Sequence, residues 1–449
     1  MPRLLTPLLL ALALIPPACA PHPTAKTPDI SPEAPKTPGP TPGSTPTPSP
    51  TAKGRERKNL IELTPRAAAR VKEIVATGQK DGALPAGLLY LRVRVADGGQ
   101  TKLDLDPDTN PADDLFGESR GVMIVVDRRS ATSIQAGTRV DFLEGPGESG
   151  FKISVPLPAL GAPDAGLKLA EARRGFKTNQ TPRAEAGEAP PQPPAHLFRL
   201  VKYDSPVGKL AAYLTPDPKD GKKRPAIIWI TGGDCNSIDQ GCWKEAPASN
   251  DQSAAAYRKA GVVMMFPSLR GGNDNPGAKE SFLGEADDIL AALDYLQKQP
   301  HVDPNRVYLG GHSTGGTMAL LVSESTDRFR AVFSFGPVEN ILGYGRTYCP
   351  FGPAEVQELR LRAPGLWLHS IRSPTFVIEG ASGGNADSLR AMADVSKNAK
   401  VQFFEVKGAN HFSVLAPVNR LLAQKILADS GPECNITLTQ QETARLFGK

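Results

Sequence analysis

A chain of 449 residues is too long for one ordinary core and calls for two domains with unpacked segments between or before them. Its formal charge of +5 is small for that length and spread along the chain, which gives no reason to expect a nucleic-acid partner. Composition, at 40% hydrophobic and 22% charged residues, goes no further than a soluble globular protein.

Arg3 precedes an apolar run from Leu4 to Ile15, too short to span a bilayer but matched to the hydrophobic region of an export signal. The run ends at Pro16-Pro17-Ala18-Cys19, which resembles a bacterial lipoprotein signal and implies lipidation of Cys19, although Pro16 stands where that signal usually has Leu. A plain signal cut after Ala18-Cys19-Ala20 is the alternative, disfavoured by Pro21. Residues 1–20 are thus expected to direct the chain to a bacterial envelope or periplasm. Residues 21–57, rich in Pro, Thr, Ser and Gly, have too little apolar surface to offset the entropy of folding and read as a semi-extended tether.

The first folded segment is expected over 58–157. Leu60, Ile61 and Leu63 read as a short strand, and Thr64-Pro65 as the cap and first position of a helix burying Ala68, Val71, Ile74 and Val75. Leu88 to Val95, Val122 to Val126 and Arg139 to Leu143 read as strands, giving a small, mostly β (α+β) domain. Ile61-Glu62-Leu63-Thr64-Pro65, Gly121 to Asp127, Asp141 to Gly145 and Ser149-Gly150-Phe151-Lys152 resemble the HesB/IscA-like fold of A-type iron-sulfur carriers. The resemblance implies three cysteine ligands, but the corresponding positions read Gly98-Gly99-Gln100 and Lys152-Ile153-Ser154-Val155-Pro156. No cysteine occurs between Cys19 and Cys235, so no cofactor is expected and the domain reads as a reused scaffold. A Pro/Ala-rich linker, 158–196, follows.

From 197 to 430 the rhythm is strand, helix, strand, helix. Ala226 to Ile230 and Val262 to Phe266 are continuous apolar runs, the first ending in Thr231-Gly232-Gly233 and the second in the loop Ser268 to Asn273. Ala286, Ile289, Leu290, Leu293 and Leu296 fall at helical spacing. Such alternation implies a mostly parallel, doubly wound α/β sheet. Val307-Tyr308-Leu309-Gly310 then runs into Gly311-His312-Ser313-Thr314-Gly315, followed by the helical Met318 to Val322. A G-x-S-x-G between strand and helix exposes the serine on a tight turn, with the next amide aimed at a developing oxyanion. Ser313 is therefore the candidate nucleophile. A serine hydroxyl needs an adjacent base, and His411, in Gly408-Ala409-Asn410-His411 after the strand Val401 to Val406, fits that part. The acid is expected on the loop after Pro374 to Ile378. Asp387 is the choice there, with Asn385 and Glu379 as alternatives and Glu379 set too near the strand end to reach. The amides of Thr314 and Gly233 are expected to form the oxyanion hole, each worth about 3 kcal/mol of barrier.

Ser313, His411 and the stretch Val302 to Gly316 resemble the prolyl-oligopeptidase and dienelactone-hydrolase branches of the α/β-hydrolase superfamily. The resemblance implies an ester- or peptide-cleaving serine hydrolase that acts on small molecules with neither metal nor cofactor. A catalytically weak fold kept for binding is the other reading. An insert from Gly336 to Leu368, with Asn340, Tyr344, Tyr348, Phe351 and Trp367, sits where substrate pockets are shaped. In an exported protein the even set of later cysteines suggests disulfides Cys235 with Cys242 and Cys349 with Cys434, one of three possible connectivities. Residues 431–449 read as a tail.

Overall fold

The computed structural model describes residues 61–95, 101–132, 134, 137–145, 148–154, 160–161, 163, 166–179, 187–345, 348–351 and 355–448. The expected export signal, Cys19, the tether, Gly98 to Gln100 and Thr181 to Arg183 lie outside these residues.

Strand β1 (Ile61–Leu63) leads into helix α1 (Pro65–Lys80). The Thr64 hydroxyl accepts from the Ala67 amide, and Pro65 sits where its missing N–H would have no partner. Strands β2 (Tyr90–Val95), β3 (Thr101–Asp106), β4 (Asp114–Ser119) and β5 (Val122–Asp127) form a sheet in the order β3-β2-β5-β4. After the single-turn helix α2 (Arg128–Ala131), strands β6 (Thr138–Gly145) and β7 (Glu148–Ser154) join β1 in a second sheet, β1-β6-β7. Val71, Leu91, Ile124, Val140 and Phe151 are buried together in their core. Strands β3 and β4 are masked in sequence by their acids. Asp106 and Asp114 hold the buried Arg92 guanidinium at 2.7 Å each, so charged residues occupy strand positions where an apolar pattern would be sought.

The expected linker is in part a strap on the second unit. Leu160 and Leu169, the latter opening helix α3 (Leu169–Ala172), are buried in the second unit's core. Arg173 donates to the Leu283 carbonyl at 2.7 Å, the Asn179 amide to Glu358 at 2.6 Å, and the Tyr213 hydroxyl to the Pro191 carbonyl at 2.7 Å. Backbone groups and isolated long side chains make these contacts, and they leave no periodic signature.

The second unit begins with the hairpin β8 (Arg199–Ser205) and β9 (Gly208–Leu214), then β10 (Arg224–Ile230), helix α4 (Ala255–Lys259) and β11 (Val263–Pro267). Helix α5 (Glu285–Gln297), β12 (Val302–His312), α6 (Thr314–Ser325), β13 (Val332–Phe335) and α7 (Val356–Arg360) follow. Then come β14 (Thr375–Ser382), α8 (Ala386–Val395), β15 (Val401–Asn410), α9 (Leu415–Ala428) and α10 (Gln440–Arg445). The sheet order is β8-β9-β11-β10-β12-β13-β14-β15, parallel from β11 to β15, with β8 and β9 antiparallel. Strand alternation sends Ile228 and Leu309 to the core on one face and Ile227, Trp229 and Tyr308 to the other. The fold is the α/β-hydrolase fold.

Two expectations need correction. None of Cys235, Cys242, Cys349 and Cys434 is in a disulfide. Cys235 and Cys349 lie in the core on one face of the sheet, whereas Cys242 and Cys434 pack on the other, so the sheet separates both expected pairs. The last residues are also more than a tail, because Ile436 and Leu438 are buried in the second face's core and α10 lies against β15.

Candidate active site

The end of β12 is shaped by what its glycines lack. A Cβ on Gly311 would press into the carbonyls of Gly315 and Ile230, and one on Gly315 into those of Ile230 and Thr231. Without them the chain turns directly from strand into α6. Ser313 sits on that turn at φ 57° and ψ −117°, a conformation non-glycine residues rarely hold outside functional sites. Its amide donates to the Phe335 carbonyl at 2.8 Å.

His411 follows β15, is 8% exposed, and lies beside the same turn. Its ring centroid is 4.5 Å from that of His312, and its backbone carbonyl accepts from His312 Nε2 at 3.0 Å. Burial, then the neighbouring His411, pushes the His312 imidazole well below its usual range. His312 is therefore neutral and donates from one ring nitrogen only, its Nε2 facing the His411 carbonyl and its Nδ1 lying 3.1 Å from Gln252 Oε1. It is a strut for the His411 backbone and cannot serve as the base.

The carboxylate on His411 is Glu379, in place of the expected Asp387. Glu379 Oε2 lies 2.8 Å from His411 Nδ1 and is fully buried. Ile378 is the last residue of β14 paired with β13, so Glu379 stands just past the end of β13, beside Gly336. Gly336 has φ +57°, and a Cβ there would come within 2.5 Å of both Glu379 Oε2 and His411 Cε1. The glycine makes the space, and the extra methylene of Glu compensates for a position so near the strand end. Glu379 also accepts from the Gly380 amide at 2.7 Å and the Asn385 amide at 3.3 Å, while Asn385 Nδ2 donates to the Gly336 carbonyl at 2.6 Å. Asn385, an alternative acid in the sequence, thus fixes the acid instead. Asp387 points elsewhere, to Arg390 at 2.5 Å and Arg66 at 3.7 Å.

Gly233 and Thr314 meet: the Thr314 hydroxyl donates to the Gly233 carbonyl at 2.8 Å, fixing the loop after β10 against the start of α6. The insert supplies Tyr344. Its ring stacks on Phe282 at 6.0 Å and its hydroxyl is 2.8 Å from Thr317 Oγ1, with the Ser313 side chain beside it. Ser281 and Phe282 both have positive φ, and the buried Arg362 donates to the Ser281 carbonyl at 2.7 Å to hold them there. Burial raises the Tyr344 phenol, which stays protonated. With Thr317 donating to Tyr344, the phenol proton is free to turn toward Ser313, which leaves the serine proton for an imidazole. Tyr344→Phe keeps the ring and removes that donor, and is expected to lower kcat about tenfold at nearly constant KM, as for one lost hydrogen bond to a reacting atom. Unchanged kcat in steady-state assays is the contrary result.

Residues 248–361 match the prolyl oligopeptidase family. Prolyl oligopeptidase A of Galerina marginata is 33% identical over 110 residues, 23% of this chain and 14% of that protein. The uncharacterized peptidase YtmA of Bacillus subtilis is 28% identical over 142 residues, 29% of this chain and 55% of that protein. The chain therefore spans at most about half the length of these two relatives. Protein HesB of Leptolyngbya boryana is 36% identical over 100 residues, 21% of this chain and 78% of that protein. Among solved structures, an acylaminoacyl peptidase of Pyrococcus horikoshii superposes with a TM-score of 0.43 at 16% identity, over 55% of this chain and 43% of that one. The first domain does not fit an iron-sulfur cluster, because thiolates are absent throughout it and β7 ends in Lys152-Ile153-Ser154. The chain belongs through that first domain to the HesB family, and behind it residues 248–361 match the prolyl oligopeptidase family.

Proposed function

We propose that the protein cleaves small esters or peptides through an acyl-enzyme on Ser313, with His411 as base and Glu379 as the acid that orients it. The observation that carries this reading is the 2.8 Å bond from a buried carboxylate to His411 Nδ1 beside the Ser313 turn. Ser313 Oγ attacks the substrate carbonyl carbon as its proton passes to His411 Nε2. The oxyanion is received by the amides of Thr314 and Gly233. Collapse breaks the bond to the alcohol or amine, which leaves with the proton held by His411. Water then repeats the sequence on the acyl-serine, releasing acid and free Ser313. Leu4 to Ile15 and Cys19 support export and a lipid anchor for this activity, with residues 21–57 as tether.

A second reading, a weakly active fold used for binding, draws on the Tyr344 hydroxyl lying beside Ser313. Labelling with a fluorophosphonate probe separates the two. The hydrolase reading requires covalent modification of the wild-type protein that disappears in Ser313→Ala. An unlabelled, folded wild-type protein leaves the binding reading standing.

A further inference from the structure

Among the described residues, strands β6 and β7 of the HesB-family domain both meet the hydrolase domain, and both adjoin residues of the candidate site. Strand β6 meets β14, the strand that carries Glu379, and β7 lies against the single turn Ile341–Tyr344, which ends in the tyrosine on Ser313. At the first contact Asp141 of β6 is buried at 4% exposure, with partners from both domains. It accepts from Arg66 at 2.6 Å, from Thr64 and from its neighbour's amide at 2.9 Å, and Arg66 lies 3.7 Å from Asp387, which sits against it. Asp387 is in the first turn of α8, two positions from Asn385, which braces Glu379. A domain without cluster ligands is thereby fixed beside the acid loop and against the turn Ile341–Tyr344.

We propose that this domain is a cap over the catalytic opening, latched by Arg66, Asp141 and Asp387, and that it limits the hydrolase to small or extended acyl substrates. The proposal rests on Ser313 being the nucleophile. Two carboxylates held side by side and half-buried repel unless one carries a proton. The groups facing Asp387 are Asp141 of β6, Arg66 of α1 and Arg390 of α8, the last also paired with Glu405 of β15 at 2.5 Å. Burial and then Asp141 raise the Asp387 carboxyl to about 6, against Arg390 and Arg66. Burial also works to raise Asp141, but its contacts with Asp387, Thr64 and Arg66 outweigh it and hold that group at about 2. Because the raised group is Asp387, the latch is complete below the ordinary carboxyl range and weakens as pH rises through about 6.

The test uses the full chain and compares kcat/KM for 4-nitrophenyl acetate with that for the 4-nitrophenyl ester of an acylated, cyclised decapeptide, so that the chemistry common to both cancels. Arg66→Glu places a third acid at the latch. It is expected to raise the bulky-to-small ratio about fivefold or more, a coupling of ordinary size. The charge swap Arg66→Glu/Asp387→Arg is expected to restore the ratio. In the wild type the ratio should rise between about pH 5 and about pH 7.5, whereas Asp387→Asn, fixed in the neutral form, should hold it low at both. Hydrogen exchange of the Ile341–Tyr344 amides reads the same docking without turnover and should be faster in Arg66→Glu than in wild type at equal pH. Equal exchange in the two overturns the cap, whatever the enzyme does to either ester. Faster exchange with neither ester cleaved sustains the latch and refutes the hydrolase reading.

Discussion

Alanine at Ser313 or at His411 is expected to lower kcat by about a millionfold, and alanine at both to lower it no further. The non-additivity follows from the geometry. The turn that holds Ser313 at φ 57° gives its hydroxyl position but no basicity, and His411 gives basicity that is useful only to an alcohol already in place. Removing either leaves the other with nothing to act on. Residual turnover should still exceed the uncatalysed rate by about a thousandfold, because amides that receive an oxyanion serve any nucleophile, including water. Rates for the two single variants and the double variant, measured on one activated ester with thermal unfolding in parallel, decide the matter. Losses that multiply in the double variant would mean that the two side chains act independently, and no acyl-transfer unit would then exist.

The frame of the second domain was legible because its strands are buried on both faces. Ala226 to Ile230 and Val307 to Gly310 read as uninterrupted apolar runs, and the glycines at 311 and 315 mark where backbone must approach backbone. Elements held by polar contacts were not legible. The strap from Leu160 to Pro191 is tied by Arg173, Asn179 and a backbone carbonyl, and β3 and β4 carry acids that pair with one buried arginine. The cysteines misled for another reason. An even count says nothing about which face of a sheet each thiol occupies, and here the sheet stands between both expected pairs. Asp387 offers the Asp of the expected loop, slightly late for the usual spacing, to which Asn385 is the closest positional match. Its neighbours from the first domain, Arg66 and Asp141, are separated from it by most of the chain, and no local pattern announces them.

Glu379→Gln is expected to reduce kcat by about ten thousandfold, while Asp387→Asn stays close to wild type on a small ester. Glutamine nearly matches glutamate in shape, so the cavity beside Gly336 stays filled. Two things are lost: the charge that stabilises imidazolium as His411 takes the serine proton, and an acceptor that fixes the proton on Nδ1. The amide can turn its NH2 toward Nδ1, which selects the tautomer with its proton on Nε2, where the base must be vacant. Glu379→Asp keeps the charge but withdraws it by one methylene from a ring it now meets at 2.8 Å, and a misplacement of about 1 Å is expected to cost about a hundredfold. The order wild type, Asp, Gln at position 379 therefore separates charge from reach. Should Asp387→Asn fall as far as Glu379→Gln on the small ester, the acid would have to be sought at the domain contact, and the buried bond to His411 would be packing alone.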